Sequence, residues 1–164
     1  MPEDLNPEQQ WPGVDAAFDF VIPSYQWTIT RFEAADSRIQ TLQAFIATVT
    51  FGIPALAAAI SKTVPFKSPW FIAALIVAAL ALASGIIARN SGALMICSPE
   101  VLYQKWLSRS AWNFKKDMLY FAGRHFDQNV KVINRKAHIA LGMTLFFFLE
   151  TTLFIGWIIS AFAG

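Results

Sequence analysis

The chain has 164 residues, of which 55% are apolar, 15% aromatic and 15% charged, and its mean hydropathy is +0.45. Soluble domains carry roughly 25% charged residues, so this composition argues against an ordinary soluble enzyme and against a disordered tail. The length fits one domain. A single cysteine, Cys97, excludes a disulfide within the chain. Because there are also only two histidines, we expect neither a metal site nor another cofactor.

The first 23 residues predict a loose cytoplasmic arm rather than a signal peptide. They carry five acidic residues, with no basic start and no early apolar run. Ser24 follows Pro23 and is placed to cap a helix. We therefore expect a cytoplasmic helix over residues 24–41 that leads into the membrane.

Three stretches are long and apolar enough to cross a membrane as helices, which takes about 20 residues. They cover about 42–60, 70–88 and 139–162. A soluble bundle of three core helices is the alternative. A core helix normally keeps a polar face, however, and Ser84 is the only polar side chain of the second stretch. Three transmembrane helices are therefore the prediction.

The basic residues predict the orientation of these spans. Residues 89–138 contain nine Lys and Arg against three Asp and Glu, whereas the short loop over residues 61–69 contains two Lys. Cytoplasmic loops carry the excess of positive charge. We therefore expect the N-terminus and residues 89–138 in the cytoplasm and the C-terminus outside.

The cytoplasmic part is predicted to be helical. The Ser-Pro-Glu run at 98–100 has the residue types of a helix start, and Gly123 is the expected end or bend of that helix. A second helical pattern then leads into the third span, so that cytoplasmic helices cover about 99–137. The predicted fold class is an all-α membrane protein. Its first and third membrane helices extend into a cytoplasmic helical bundle, and residues 24–164 form one domain.

Glu150 lies near the middle of the third span. An ionised carboxylate at that depth costs on the order of several kcal/mol, and no Lys or Arg lies within a span to pair with it. It is either a neutral acid that bonds a threonine or glutamine of a neighbouring helix, or a residue that lines or gates a path in an oligomer. Thr151, the next residue, is the other candidate for lining or gating such a path.

Small residues in the spans predict close helix packing. The second span has pairs of them four residues apart, and the helix-packing candidates of the other two spans are Thr152, Gly156, Ser160, Gly52 and Pro54. Gly52 and Pro54 are also expected to kink the first span. Packing within one chain is one interpretation. Three spans make a thin bundle, however, so we expect a homo-oligomer.

Cationic and aromatic residues of the cytoplasmic helices allow two interpretations. They contact anionic lipids of the inner leaflet, or they form an anion site, such as a site for a nucleotide. The candidates are Arg31, Arg38, Lys105, Arg109, Trp112, Lys116, Arg124, Lys131 and Arg135. The sequence contains no phosphate-binding glycine loop and no catalytic motif. We therefore expect neither an enzyme nor a protein that binds nucleic acid polymers.

Two groups of residues resemble a known family. They are Trp27, Arg31-Phe32, Ala35-Asp36-Ser37-Arg38, Leu42 and Phe45, and then Phe126, Asn129, Asn134 and Lys136. Over about Trp27 to Gly164 the sequence resembles the small transmembrane effectors of bacterial anti-phage signalling, namely the Pycsar transmembrane effectors and the related SLATT membrane domains. The resemblance implies a multi-pass protein of the bacterial inner membrane that assembles and breaches the membrane on an infection signal. In the Pycsar case that signal is a cyclic pyrimidine nucleotide.

We therefore expect an effector that self-associates and permeabilises the membrane. These residues include no separate ligand-binding domain, so the cytoplasmic helices or a cytoplasmic sensor protein would receive the signal. Two alternatives are kept. One is a subunit or anchor that forms no pore and docks a cytoplasmic partner, and the other is a small constitutive channel subunit.

Overall fold

A computed structural model describes residues 7–60 and 64–162 of the chain. Its five helices are α1 (Pro7–Gln10), α2 (Val14–Ile60), α3 (Pro69–Asn90), α4 (Pro99–Lys105) and α5 (Ala111–Phe162), and the described residues contain no strand. Three of them, α2, α3 and α5, are long and apolar enough to cross a membrane. The all-α class is thereby confirmed, and each of the three predicted spans lies within a helix of sufficient length and apolarity. Residues 1–6 of the predicted arm, 61–63 of the predicted outer loop and the C-terminal 163–164 lie outside the described residues.

Helix α2 begins at Val14, inside the segment that was predicted to be a loose arm. Val14 is buried and Phe18 and Val21 are half-buried, so an apolar face at helical spacing favours the helix. Pro23 is exposed and does not end it. Ser24 is no cap, because its hydroxyl donates to the carbonyl of Phe20 one turn earlier.

The predicted helix over residues 99–123 is divided in two. Helix α4 ends at Lys105 and α5 begins at Ala111, where the Oγ of Ser110 accepts a hydrogen bond from the backbone N–H of Asn113. A serine in this position satisfies a free donor of the first turn. Gly123, the predicted end, lies inside α5 because a helical glycine costs only about 1 kcal/mol relative to alanine.

The chain packs as two compact units. Unit 1 comprises Met1–Phe32 and Ala93–Ile133, and unit 2 comprises Glu33–Gly92 and Asn134–Gly164. Helices α2 and α5 each contribute to both units.

In unit 2, α3 packs through a face of small residues. The buried residues of this helix are Ala74, Ala78, Ala81, Gly85 and Ala88. Small side chains allow helices to approach closely, and at Gly85 the side chain of Gln43 occupies the space that a Cβ would need, with its Nε2 at 2.6 Å from that position. Around this face lie two apolar clusters, one with Ile39, Ile46 and Met143 and one with Phe154 and Trp157.

Alanine substitutions at two helical glycines test this packing. At Gly52 a Cβ meets nothing within 4 Å, so we expect Gly52→Ala to raise the free energy of unfolding by about 0.5–1 kcal/mol through helix propensity. Gly85→Ala must displace Gln43, and we expect it to be less stable than Gly52→Ala by about 1–3 kcal/mol. Unfolding in detergent, followed by circular dichroism, measures both. The double variant Gly85→Ala/Gln43→Ala should recover the loss, and equal stability of the two single variants would refute the close approach.

Candidate functional site

The candidate site of unit 2 is a buried seam between α2 and α5. On α5 its positions are Lys136, Met143, Glu150 and Trp157, each at most 1% exposed, and on α2 they are Asp36, Gln43, Thr50 and Ala57. Both sets recur every seven residues. Seven-residue spacing is typical of helices that wrap around each other in a left-handed sense. The two polar contacts of the seam join residues that are 100 positions apart in both cases, so the helices run parallel here.

The first polar contact of the seam joins Glu150 and Thr50. The Oε1 of Glu150 lies 2.6 Å from the Oγ1 of Thr50, and that Oγ1 lies 2.8 Å from the carbonyl oxygen of Ile46. A threonine hydroxyl has one proton to donate. It is shared between the carboxyl oxygen of Glu150 and the carbonyl oxygen of Ile46, and Thr50 is the donor in both contacts. A carboxyl group buried at this depth without a cation is favoured in its neutral form.

The remaining oxygen of Glu150 has no partner. Oε2 is buried and forms no hydrogen bond to any described residue. This arrangement corresponds to the first interpretation from the sequence, a neutral acid that bonds a threonine of a neighbouring helix. Thr151 does not join it, because its hydroxyl donates to the carbonyl of Phe147 in its own helix.

The second polar contact of the seam is an ion pair. The Nζ of Lys136, which is 1% exposed, lies 2.6 Å from the Oδ1 of Asp36, which is 29% exposed. A buried cation needs a close partner, since removing it from water costs several kcal/mol. Neither residue was among the candidate site residues. The shared seven-residue spacing with Thr50 and Glu150 was the signal that could have found them.

Nine cationic and aromatic residues of the cytoplasmic helices were candidates for an anion site. Four of them take part in contacts within unit 1. The guanidinium of Arg31 lies 4.6 Å from the ring centroid of Trp27, and the Nζ of Lys116 lies 5.2 Å from that of Trp112. Arg109 forms an ion pair with Asp117. The other five are exposed and have no ion-pair or ring partner among residues 7–60 and 64–162; they are Arg38, Lys105, Arg124, Lys131 and Arg135.

One further cation of unit 1 was absent from the candidates. The Nζ of Lys115 lies 2.6 Å from the Oδ1 of Asp15, and this hydrogen bond raises the pKa of Lys115. The pair is exposed to solvent and contributes little to stability. It joins residues of α2 and α5 that are 100 positions apart.

The predicted packing residues differ in their surroundings. Gly156 packs against the indole of Trp70, whose Cε3 would lie 3.3 Å from an added Cβ. Thr152 and Ser160 are exposed, and each hydroxyl donates to a carbonyl of its own helix. In α2, Gly52 has open space around it and Pro54 is half-buried, while the helix continues past both to Ile60.

A buried asparagine of unit 1 holds the segment between α3 and α4. The Oδ1 of Asn129 accepts a hydrogen bond from the N–H of Met95 at 2.8 Å, and its Nδ2 donates to the carbonyl of Met95 at 3.2 Å. The hydroxyl of Tyr25 donates to the same carbonyl at 3.0 Å. Burial raises the pKa of Tyr25 and that of the nearby Cys97 thiol. Asn129 was a residue of the resemblance but not a candidate site residue.

Comparisons with protein-family profiles, with curated proteins and with solved structures found no match to this chain. Within the described part of the chain, no three His, Cys, Asp or Glu side chains come together in a group that could hold a metal ion.

The protonation of Glu150 predicts an infrared signal. At neutral pH the protein should show the C=O stretch of a protonated carboxyl group, and Glu150→Gln should abolish it. Thr50→Val should move the band to higher frequency, because the acid loses its hydrogen-bond partner. Thr48→Val, at an exposed position two residues earlier, is the matched control and should leave the band in place. A wild-type protein without this band would show that the carboxyl is ionised.

Cys97, the single cysteine of the chain, lies two residues after Met95. Because Asn129 forms two hydrogen bonds with Met95, we expect a thiol reagent to label Cys97 slowly. Asn129→Leu removes two hydrogen bonds, each worth about 0.5–1.5 kcal/mol. We therefore expect maleimide to label Cys97 about tenfold faster in this variant, through more frequent local opening. Gln128→Leu, at an exposed neighbouring position, should label at the wild-type rate. The same acceleration in both variants would contradict a specific hold on Met95.

Proposed function

We propose that this chain is an effector of the bacterial inner membrane that self-associates and permeabilises the membrane on an infection signal, in anti-phage defence. The observation that carries the proposal is the fully buried carboxyl group of Glu150, which contacts Thr50 and has one oxygen without a partner.

The energetic cost of Glu150 supports a role beyond packing. Leaving a buried acceptor unsatisfied costs about 1–3 kcal/mol, and an apolar side chain would fill the same space without this cost. Ionisable residues within membrane helices typically mark paths for ions or protons. In the proposed mechanism the seam is closed at rest and Glu150 is neutral. When α2 and α5 separate during assembly, Glu150 and Thr50 meet water and line the path.

The exposed cations of α5 are the proposed receivers of the signal. Arg124 and Lys131 of unit 1 are spaced by seven residues, so they share one face of the helix. Both are exposed, and neither has an ion-pair partner among the described residues. An anion such as a cyclic nucleotide would be attracted to this face. A cytoplasmic sensor protein with an acidic surface is the alternative source of the signal.

The resemblance to the anti-phage effectors also supports the proposal. Asp36 and Lys136, two of the residues that carry it, are brought together as the ion pair of the seam. Asn129, a third, makes the two hydrogen bonds to Met95. Residues that hold helices and segments in one arrangement are suited to a protein that must stay inactive until a signal arrives.

A second candidate function is an anchor that docks a cytoplasmic partner. Unit 1 exposes large aromatic side chains outside the predicted spans, including Phe20 at 76%, Tyr103 at 75% and Tyr120 at 68%. Exposed apolar groups of this size are enriched at protein interfaces. An anchor should be harmless to the cell with or without the signal and should co-purify with its partner.

Membrane potential in expressing cells, measured with and without a cyclic pyrimidine nucleotide, tests the effector. We expect the wild-type protein to depolarise the membrane only with the nucleotide. Glu150→Gln should reach the membrane at the same level and lose most of this response, because its amide cannot ionise. Thr50→Val should depolarise without nucleotide, since it removes the partner that holds Glu150. The matched variant Thr48→Val should behave as the wild type.

The other outcomes separate the alternatives. If Glu150→Gln depolarised the membrane as fully as the wild-type protein, the carboxyl group of Glu150 would have no role in the path. Depolarisation by the wild-type protein without nucleotide would indicate the constitutive channel. A protein that leaves the potential unchanged in both conditions and co-purifies with a partner would indicate the anchor.

A further inference from the structure

A groove on unit 2 lies apart from the seam. It has a volume of about 490 Å³ and is lined by residues of α2 and α5, chiefly Ser37, Arg38, Thr41, Leu42, Phe45 and Thr144. At one end it offers a guanidinium and a hydroxyl group. At the other end it offers an aliphatic and an aromatic side chain.

The groove follows the boundary between the charged and the uncharged part of α2. Arg38 is the last charged residue before the uncharged run Ile39–Ile60. Leu42 and Phe45 lie about 6 and 10 Å further along the helix at 1.5 Å per residue. The groove therefore has its cation at the level where the apolar span begins and its apolar floor inside that span.

Arg38 is exposed and has no partner among the described residues. The nearest carboxylates in the sequence, Glu33 and Asp36, do not line the groove, and Asp36 pairs with Lys136. The hydroxyl groups of Thr41 and Thr144 donate to carbonyls of their own helices. An apolar group can therefore lie beside them without breaking a hydrogen bond.

We propose that this groove binds one anionic phospholipid of the surrounding membrane. Its phosphate lies on the guanidinium of Arg38 and the hydroxyl of Ser37, and one acyl chain lies over Leu42 and Phe45. Arginine forms strong, paired hydrogen bonds with phosphate, and basic pockets between membrane helices bind lipid headgroups. This inference does not rest on the proposed function.

The charge of the groove favours a lipid over a second copy of the chain. A span of another copy that covered the groove would place an apolar helix against Arg38. Within residues 42–60, 70–88 and 139–162 the only carboxylate is Glu150, which is fully buried against Thr50. A span of a second copy therefore brings no counter-ion into the groove, whereas a phospholipid brings a phosphate and an apolar chain together.

Lipid retention by the full-length protein tests the proposal. The protein is purified in detergent with phosphatidylglycerol or phosphatidylcholine added, and bound lipid is counted by native mass spectrometry. We expect one tightly retained phosphatidylglycerol per chain and weaker retention of phosphatidylcholine. Arg38→Gln should weaken the phosphatidylglycerol binding by about tenfold, as expected for the loss of one charged hydrogen-bond partner. Thr144→Phe, which fills the groove without changing its charge, should weaken it as well.

Arg89→Gln is the matched control, because Arg89 is an exposed cation of unit 2 that does not line the groove. It should retain the lipid as the wild type does. Equal retention by Arg38→Gln and the wild-type protein would overturn the proposal, as would equal binding of the two lipids. Displacement of the lipid by millimolar inorganic phosphate alone would show that only the anion is recognised. A crosslink between the grooves of two chains that excludes lipid would assign the surface to a second copy.

Discussion

The structure of unit 2 depends on the cost of burying a polar or charged group without a partner. Glu150 and Lys136 would each be costly alone in an apolar environment, and each finds its partner on α2. The two contacts have the same offset of 100 residues, so one register of α2 against α5 satisfies both. The apolar positions of the seam, Met143 and Trp157, then fall into the same interface.

The position of α3 follows from this register. A helix with a large-residue face would be held away from the seam, but the buried face of α3 consists of four alanines and Gly85. The backbone of α3 approaches so closely that Gln43 of the seam occupies the place of the missing Cβ of Gly85. The missing side chain of Gly85 thus allows α3 to pack closely against the seam. Leucine and isoleucine side chains of the same helix lie on its exposed surface.

Patterns of local hydropathy predicted the three membrane helices, because an apolar run of sufficient length has few other stable structures. The same patterns were wrong about Ser24, Gly123 and the segment before Ala111. A glycine or a serine has only a modest local preference, and packing of the whole helix overrides even the cost of about 3 kcal/mol of a proline at Pro23. Glu150 was recognised by its cost, and the seven-residue spacing marks the other seam positions, but pairing Glu150 with Thr50 and Lys136 with Asp36 required knowledge of which helices are neighbours. The sequence also suggested nine candidates for an anion site as one group. In the structure, however, Arg31, Arg109 and Lys116 each contact another side chain of the protein.

The seven-residue repeat of the seam limits how the two helices can move. A shift of α2 along α5 by one turn would part Lys136 from Asp36 and Glu150 from Thr50 at the same moment, leaving a cation and an acid buried without these partners. A shift by a full repeat, about 10.5 Å at 1.5 Å per residue, would place Asp36 opposite Met143 and Thr50 opposite Trp157, and so restores neither contact. Piston-like sliding therefore costs both polar contacts at once. Sideways parting or rotation of the helices, which admits water to both polar pairs as they separate, is the motion that this architecture permits.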